Sequence, residues 1–309
     1  MTSAADDLLC SEALSDSENP WVSSSSWNPE EFDLAEDESE ERRRERNQRL
    51  IRSMLALEQP YITKRMLNFL LRDGVIDELA RFITHAPLGE DLAPPPHPTL
   101  EQLLEVTRAP FMRPPISEEA MRMSYRAMLL LSPDDADPNI RILLTSCGRD
   151  LVESLLHAFH PMARGNLFHA AKALQHLVKR ATSATCQAIV MTEKRIRRRF
   201  ATLLFHVRAG PVTQLVLDLI CTPTPPPFMG HTGNYQFTDS DERERVRTAL
   251  RQWNVLGKLC QHCYWDRLSV DHSEAVVDLV AQLIPRLTDA HQFGHALVQA
   301  LIEHPTALA

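Results

Sequence analysis

Two cysteines separated by two residues, Cys260 and Cys263, are the clearest pair of side chains in this sequence with a spacing suited to chemistry. That spacing is typical of half a zinc site or of a redox-active dithiol. A structural zinc site needs four ligands, and no second pair stands nearby, since His272 and His291 are isolated. Cysteines three residues apart on a helix are also common as small buried apolar side chains. We therefore predict no metal and no cofactor, and interpret the pair as part of a core.

Histidines recur on apolar stretches, where they are expected at the boundary between core and solvent. A catalytic histidine also requires a nucleophile or a carboxylate arranged with it, and the sequence shows no such pattern. Phosphate-cradling loops need closely spaced glycines, and the chain has only nine. These observations predict that the protein is not an enzyme and has no catalytic residues. The histidines in question are His157, His160, His169, His176 and His206.

A dense basic cluster at 194–199 is the best candidate for binding a partner. On a helix, Arg195, Arg198 and Arg199 share one face. The cluster has four possible roles: a solvated helix face, a docking ridge for another protein, a counter-charge for the chain's own acidic segment, and a nucleic-acid site. Stacking aromatics are not interleaved with it, which disfavours nucleic acid. The candidate partner-binding residues are Lys194, Arg195, Arg197, Arg198, Arg199 and Arg208.

Charge is distributed unevenly along the 309 residues, whose formal net charge is −8. Thirteen of the 41 acidic residues lie in 1–41, which contains no Lys or Arg, so the rest of the chain has 28 acids against 33 bases. The first 38 residues are acidic and Ser-rich, and their few apolar residues are not periodic. Such a composition predicts a disordered tail over 1–38. Trp21, Trp27 and Phe32 lie among its acids and are a candidate docking motif.

Helical periodicity dominates the remainder. Ile76, Leu79, Ala80 and Ile83 form one of several apolar stripes at helical spacing. Gly74 is suited to the left-handed conformation that separates this helix from the one before it. Three helix starts are predicted from capping residues: Ser117, the pair Thr99 and Gln102, and the pair Asp271 and Glu274. No period-two alternation bounded by hairpin turns is present, so strands are not expected.

We predict an all-α fold, specifically an armadillo- or HEAT-like right-handed α-solenoid of short helix pairs. A compact irregular helical bundle is the competing architecture. The helical-repeat domain is predicted over 39–309, with Pro-rich loops at 86–98 and 222–238. The sequence has no stretch of 18 apolar residues, so we predict no membrane span. The low number of cysteines and the lack of a secretory pattern after Met1 predict an intracellular, reduced protein.

Several stretches, taken in order, resemble one known family. Residues 64–71 (KRMLNFLL) and 76–84 (IDELARFIT) are similar to a basic-led "LLDFLL" helix and the following helix ending "VxYIT". Residues 165–178 resemble "ASYFSKVLxxLL", and 203–220 partly keep "LLKHIxTSAIMDLLLRLI", departing from it at 209–214. Residues 250–254 and 275–279 fall where the family has a "W" helix and an "AAxxLxxII" helix. The family is that of the SAPS domain, found in regulatory subunits of protein phosphatase 6-type enzymes, and the resemblance covers about 50–303.

The resemblance implies a divergent or truncated member of that family. It further implies a helical-repeat scaffold that binds a Ser/Thr phosphatase catalytic subunit of the protein phosphatase 2A or 6 type and directs it to substrates. The expected location is the cytoplasm, with the nucleus as a second compartment. A generic armadillo- or HEAT-type adaptor unrelated to phosphatases remains an alternative. An α-repeat nucleic-acid binder is a less favoured one, because the basic excess outside the tail is small.

Overall fold

The computed structural model describes residues 39–57, 62–85, 98–108, 117–132, 138–161, 163–180, 201–221, 248 and 254–289. Of these residues 81% are helical and none forms a strand, so this part of the chain is helical as predicted. The predicted disordered tail, 1–38, lies outside the described residues. So do both predicted Pro-rich loops, apart from Pro98 at the end of the first.

Ten α-helices lie within the described ranges. They are α1 (Glu40–Leu55), α2 (Lys64–Leu70), α3 (Val75–Thr84), α4 (Leu100–Arg108), α5 (Glu118–Leu131), α6 (Pro138–Leu156), α7 (Leu167–Arg180), α8 (Gly210–Cys221), α9 (Val255–Tyr264) and α10 (Val270–Asp289). A 3-10 turn, His157–Phe159, follows α6 directly.

Two predicted helix starts are confirmed by their capping hydrogen bonds. Before α4, the amide of Gln102 donates to Thr99 Oγ1 (3.3 Å) and the amide of Thr99 donates to Gln102 Oε1 (2.9 Å), a complete capping box. Before α5, Ser117 Oγ accepts from the amide of Ala120 at 3.2 Å. These side chains satisfy amides that the first helical turn leaves without a partner.

The predicted start of α10 is wrong by two residues. Asp271 and Glu274 do not form a capping box, because the helix already begins at Val270. Ser269 is the residue that accepts the amide of His272, at 3.3 Å. Asp271 therefore lies in the first turn, where its negative carboxylate interacts favourably with the positive end of the helix dipole.

Helix α3 lies at the centre of the N-terminal part. Its predicted apolar stripe is confirmed, since Ile76, Leu79, Ala80 and Ile83 are all buried. The helix contacts α1, α2, α5, α6 and α7. It begins immediately after Gly74, whose φ of 76° is the left-handed conformation predicted for that glycine.

The end of α3 and the start of α7 approach each other closely. The amide of Asn166 donates to the carbonyl of Ile83 at 2.9 Å. A Cβ added at Gly165 would lie 2.7 Å from the carbonyl oxygen of Thr84. Only glycine fits here without displacing backbone, so Gly165 sets how near α7 comes to α3.

Helix packing continues from α7 towards the C-terminal part. Helix α7 contacts α8, α8 contacts α10, and α9 packs against α10. Gln175 Nε2 on α7 donates to the carbonyl of Pro211 in the first turn of α8, at 3.0 Å. Most apolar contacts along this path belong to one continuous core, which extends back to α1.

Candidate partner-binding surface

Five of the six predicted partner-binding residues, those of the basic cluster at 194–199, lie outside the described residues. Arg208 is described, in the turn between the helical residues 201–204 and α8. Its role in binding a partner stays a prediction. The contacts that it makes within the fold are informative on their own.

Arg208 joins three segments of the chain through its guanidinium. Nη1 donates to the carbonyl of Thr107 at the end of α4 (2.9 Å), and Nη2 donates to Asp271 Oδ2 at the start of α10 (3.1 Å). The hydroxyl of Ser269 donates to the same carbonyl of Thr107. A helix's last carbonyls lack partners within the helix, so these donors complete the end of α4. Arg208 thus has a clear structural function.

A small apolar cluster lies beside this polar junction. It consists of Leu103 and Leu104 on α4, Phe205, and Leu268, with Trp265 half-buried against it. Two further hydrogen bonds lie at the edge of this cluster. Arg108 Nη2 donates to the carbonyl of Arg267 (2.8 Å), and Arg267 Nη2 pairs with Glu101 (2.6 Å). Together these contacts attach α4 to the loop between α9 and α10.

Two buried histidines meet next to Phe205. His262 Nδ1 on α9 lies 3.3 Å from His272 Nε2 on α10. Burial lowers the pKa of His262 to about 4, with a smaller contribution from Lys258. Burial also lowers the pKa of His272 to about 3, and His262, Arg208 and His206 lower it further. Both imidazoles are therefore neutral at pH 7, and one donates to the other.

The cysteine pair that flanks His262 lies on α9. Both thiols are half-buried, and Cys263 packs against the main core and donates to the carbonyl of Leu259. Burial is the main cause that raises the pKa of each thiol, which disfavours the thiolate needed for metal binding or redox exchange. Within the described ranges, no three His, Cys, Asp or Glu side chains converge to hold a metal ion. This environment is compatible with the interpretation of the pair as part of a core.

The histidines predicted at the boundary between core and solvent fall largely there. Four of the five are half-buried, and His206 is buried, with Nε2 2.8 Å from the carbonyl oxygen of Phe159. His169 Nδ1 lies 2.7 Å from Ser124 Oγ. That serine is fully buried, so its hydroxyl cannot meet a substrate in this conformation. The contact instead joins α5 to α7.

A cavity of about 330 Å³ opens where α1, α3 and α5 meet. Buried Arg81 pairs with buried Glu78 (3.4 Å), which also accepts from Gln48 Nε2 (2.9 Å). Exposed Arg52 and exposed Glu119 complete the charges along the cavity. Glu78 does not line the cavity, but it neutralises the lining Arg81 by pairing with it. Burial lowers the pKa of His85, which also lines the cavity. Arg52 and Glu119 then balance, so the cavity has no excess charge that would select an ionic ligand.

An exposed apolar surface lies on α5 and α7, and we call it the α5–α7 surface. Met121 (40% exposed), Tyr125 (49%) and Leu129 (38%) form a stripe along α5, and Phe168 (44%) lies at the start of α7. Large apolar side chains grouped on a surface commonly mark a protein-binding site. Sequence reasoning missed this surface, although the spacing of four between the α5 residues is visible in the sequence.

Comparison with known proteins identifies no relative of this chain: no family model, no curated protein and no solved structure matches it. No helix in the described part is long and apolar enough to cross a bilayer.

Proposed function

We propose that this chain is a non-catalytic regulatory or scaffold subunit that binds a Ser/Thr phosphatase catalytic subunit of the protein phosphatase 2A or 6 type. The catalytic subunit would be tethered near chosen substrates, which raises its effective concentration there. The observation that carries the proposal is the ordered resemblance to the SAPS domain. We place this activity in the cytoplasm, with the nucleus as a second compartment.

The resembling stretches are also neighbours in space, which supports treating them as one unit. Residues 64–84 form α2 and α3, 165–178 lie in and before α7, and 212–220 lie in α8. Helix α3 touches α7 through the Gly165 approach, and α7 touches α8 through Gln175. Consecutive helices usually pack on one another, so this adjacency supports one shared core rather than the family itself.

The proposed scaffold is an armadillo- or HEAT-like right-handed solenoid. The successive contacts of α3 with α6, α6 with α7, α7 with α8 and α8 with α10 support it, because each solenoid unit packs on its neighbours. The many partners of α3 are, in contrast, typical of a compact bundle. In either architecture the function depends on an exposed face that another protein can contact.

The α5–α7 surface is the proposed anchor for that partner. Tyrosine and other large side chains supply most of the binding energy at protein interfaces, usually from the centre of the contact. Tyr125 and Phe168 are both nearly half exposed, and their sequence neighbours Ser124 and His169 form a part-buried contact between α5 and α7. The basic cluster at 194–199, with Arg208, is proposed as a second, electrostatic contact.

Purified full-length chain, immobilised and incubated with purified catalytic subunits of protein phosphatases 2A, 6 and 1, tests the proposal. We expect retention of the 2A or 6 type and no retention of the type 1 subunit. Tyr125→Asp should reduce retention at least tenfold, whereas Val277→Asp, at an exposed apolar position on α10, should leave it unchanged. If the chain retains neither the 2A type nor the 6 type subunit, the proposal is overturned.

The same surface also fits a generic adaptor without a phosphatase partner, because exposed apolar side chains do not by themselves specify a class of protein. Capture from a cell extract with mass spectrometry separates the two functions. A phosphatase catalytic subunit lost in Tyr125→Asp and kept in Val277→Asp supports the regulatory subunit. Other proteins captured with that same dependence, without a phosphatase, would support the adaptor.

A further inference from the structure

We propose that residues 27–34 of this chain, which contain Trp27, Phe32 and Leu34, bind the α5–α7 surface of the same molecule. The contact joins an acidic, aromatic segment to an apolar surface bordered by cations. Its existence does not depend on the phosphatase, whereas its regulatory consequence rests on the function proposed above.

The α5–α7 surface is continuous across the two helices. Asn166 Nδ2, just before α7, lies 3.0 Å from Met121 Sδ on α5. The ring centroids of Tyr125 and His169 are 5.7 Å apart. Phe168 directly precedes His169 in the sequence. The contacts of Asn166 and His169 thus join the start of α7 to the apolar stripe of α5.

Exposed cations border this surface on both sides. Arg122 lies on α5 beside the apolar stripe, Arg164 lies in the non-helical stretch before α7, and Lys172 lies about one turn after Phe168. Glu118, in the first turn of α5, is an acidic group on the same side. Three cations against this carboxylate leave a positive rim, which favours an acidic ligand with apolar anchors.

The N-terminal segment has the complementary composition. Residues 27–38 contain six carboxylates and no Lys or Arg, with one tryptophan, one phenylalanine and one leucine placed among them. Aromatic residues of this kind insert into apolar surfaces, while the neighbouring carboxylates pair with a basic rim. Residues 235–246 also join aromatic residues to acids, but they contain four acids and two arginines, against six acids and no Lys or Arg in 27–38.

The position of α1 brings this segment within reach. Gln48 on α1 lines the same cavity as Ser117 at the start of α5, so the two helices lie side by side there. Ser39 precedes Gln48 by nine residues, roughly 13 Å along a helix axis. Arg126 on α5 bonds the carbonyl of Leu55, so α1 runs parallel to α5 and Ser39 lies beyond the start of α5. The segment must therefore turn back towards α5. From Ser39 to Phe32 the chain spans at most ~24 Å, which is enough to bring Phe32 back to Met121 at the start of the surface.

Such a contact would regulate access to the surface. A tethered ligand has an effective concentration in the millimolar range, so even weak binding covers its site much of the time. A partner that uses Tyr125 and Phe168 must then displace the chain's own segment. The proposed phosphatase would bind more tightly when that segment is removed from the surface.

Photo-crosslinking in the full-length chain tests the contact. With p-benzoylphenylalanine in place of Phe32, we expect crosslinks within one molecule to residues of α5 and the start of α7, identified by peptide mass spectrometry. Tyr125→Ser should reduce their yield at least fivefold, whereas the matched exposed variant Val277→Ser should not change it. Raising NaCl from 50 to 500 mM should lower the yield at least twofold, because salt screens the basic rim.

Each other outcome overturns the proposal. Crosslinks that map to different helices, or none at all, would show that the segment does not bind this surface. Crosslinks between two molecules, increasing with protein concentration, would assign the surface to a second copy. An unchanged crosslink yield in Tyr125→Ser, with melting curves showing that the variant folds, would also show that the segment does not bind this surface. No phosphatase is present, so the result leaves the proposed function to its own test.

Discussion

His262 Nδ1 on α9 and His272 Nε2 on α10 lie 3.3 Å apart in a buried position beside Phe205. The ring of His272 stacks on Phe205 with the two planes 27° apart, and Phe205 also belongs to the apolar cluster that holds α4. The pair therefore connects three helices through neutral, aromatic contacts. Protonation of either imidazole would place a charge where burial opposes it.

Acidification should destabilise the fold through this pair. An unfolded histidine has a pKa near 6.5, whereas the folded values are about 4 for His262 and about 3 for His272. At pH values between the folded and unfolded pKa values, the unfolded chain binds more protons than the folded chain. The free energy of unfolding therefore decreases as the pH falls below about 6.5. We expect a loss of about 2 kcal/mol for each histidine between pH 7 and pH 5.

Urea denaturation of the wild-type chain and of His272→Gln at several pH values measures this effect. The variant should lose about 2 kcal/mol less than wild type over that interval, whatever its stability at pH 7. Cys260→Ala changes a half-buried residue on α9 that does not titrate in this range, and it should keep the wild-type dependence. Parallel curves for wild type and His272→Gln would contradict the prediction.

Gly165 should tolerate no larger side chain. In Gly165→Ala, the new Cβ would lie 2.7 to 2.9 Å from backbone atoms of Thr84, and backbone cannot rotate away as a side chain can. We expect a destabilisation of about 1–3 kcal/mol, the usual cost of overpacking. Gly210→Ala is the matched control, since its Cβ would meet nothing within 4 Å at the start of α8.

Equilibrium unfolding in urea distinguishes the two glycines. The midpoint should fall for Gly165→Ala and stay or rise slightly for Gly210→Ala, because alanine favours helix by up to about 1 kcal/mol. Equal midpoints would mean that α3 and α7 separate at little cost. In that case the close approach of the two helices would not be important for stability.

The contrast between these residues shows what the sequence could predict. The stripe of α3 and the left-handed Gly74 follow from local spacing, and both are confirmed. The approach of Gly165 to Thr84 joins positions 81 residues apart, and nothing local to Gly165 distinguishes it from a loop glycine. Long-range contacts of this kind depend on how whole helices pack, so sequence periodicity cannot predict them.

The candidate site was harder to predict than the fold for the same reason. The clustered arginines predict a partner-binding site at 194–199, which lies outside the described residues. The α5–α7 surface is visible only once α5 and α7 are seen side by side, because the α5 stripe alone resembles part of a core. Arg208 was predicted to bind a partner, and its bond to Thr107 is non-local. Charge alone cannot distinguish an arginine that contacts solvent from one that completes a helix end.

Arg208 should be important for the attachment of α4. In Arg208→Met the aliphatic stem remains, but the carbonyl of Thr107 loses a charged donor and Asp271 loses its partner. We expect a destabilisation of about 1–3 kcal/mol, typical of a lost hydrogen bond to a charged group. Asp271→Asn should cost under about 0.5 kcal/mol, because the carboxylate is 72% exposed and such ion pairs contribute little.

Hydrogen exchange followed by mass spectrometry localises this effect. Amides of α4 should exchange faster in Arg208→Met than in wild type, while those of α3 should not change until global unfolding. Asp271→Asn should resemble wild type in both helices. If α4 keeps its protection in Arg208→Met, then the apolar contacts of Leu103 and Leu104 are sufficient to hold it.

The thiols should be slow to react in the folded protein. Burial raises the pKa of Cys221 to about 11 and also raises the pKa values of Cys147, Cys260 and Cys263. The thiolate is the reactive form, so each added pKa unit lowers its fraction at pH 7.5 about tenfold. We expect alkylation by iodoacetamide at least tenfold slower than that of free glutathione.

Peptide mass spectrometry of the full chain carrying Cys10→Ser and Cys186→Ser follows the four described thiols one by one. Cys221 should be the slowest, and unfolding in urea should make all four react at similar, rapid rates. EDTA should leave the melting temperature unchanged, because a core cysteine pair loses nothing when metal is removed. Rapid alkylation of Cys260 or Cys263, or a lower melting temperature in EDTA, would instead support a redox or metal function for that pair.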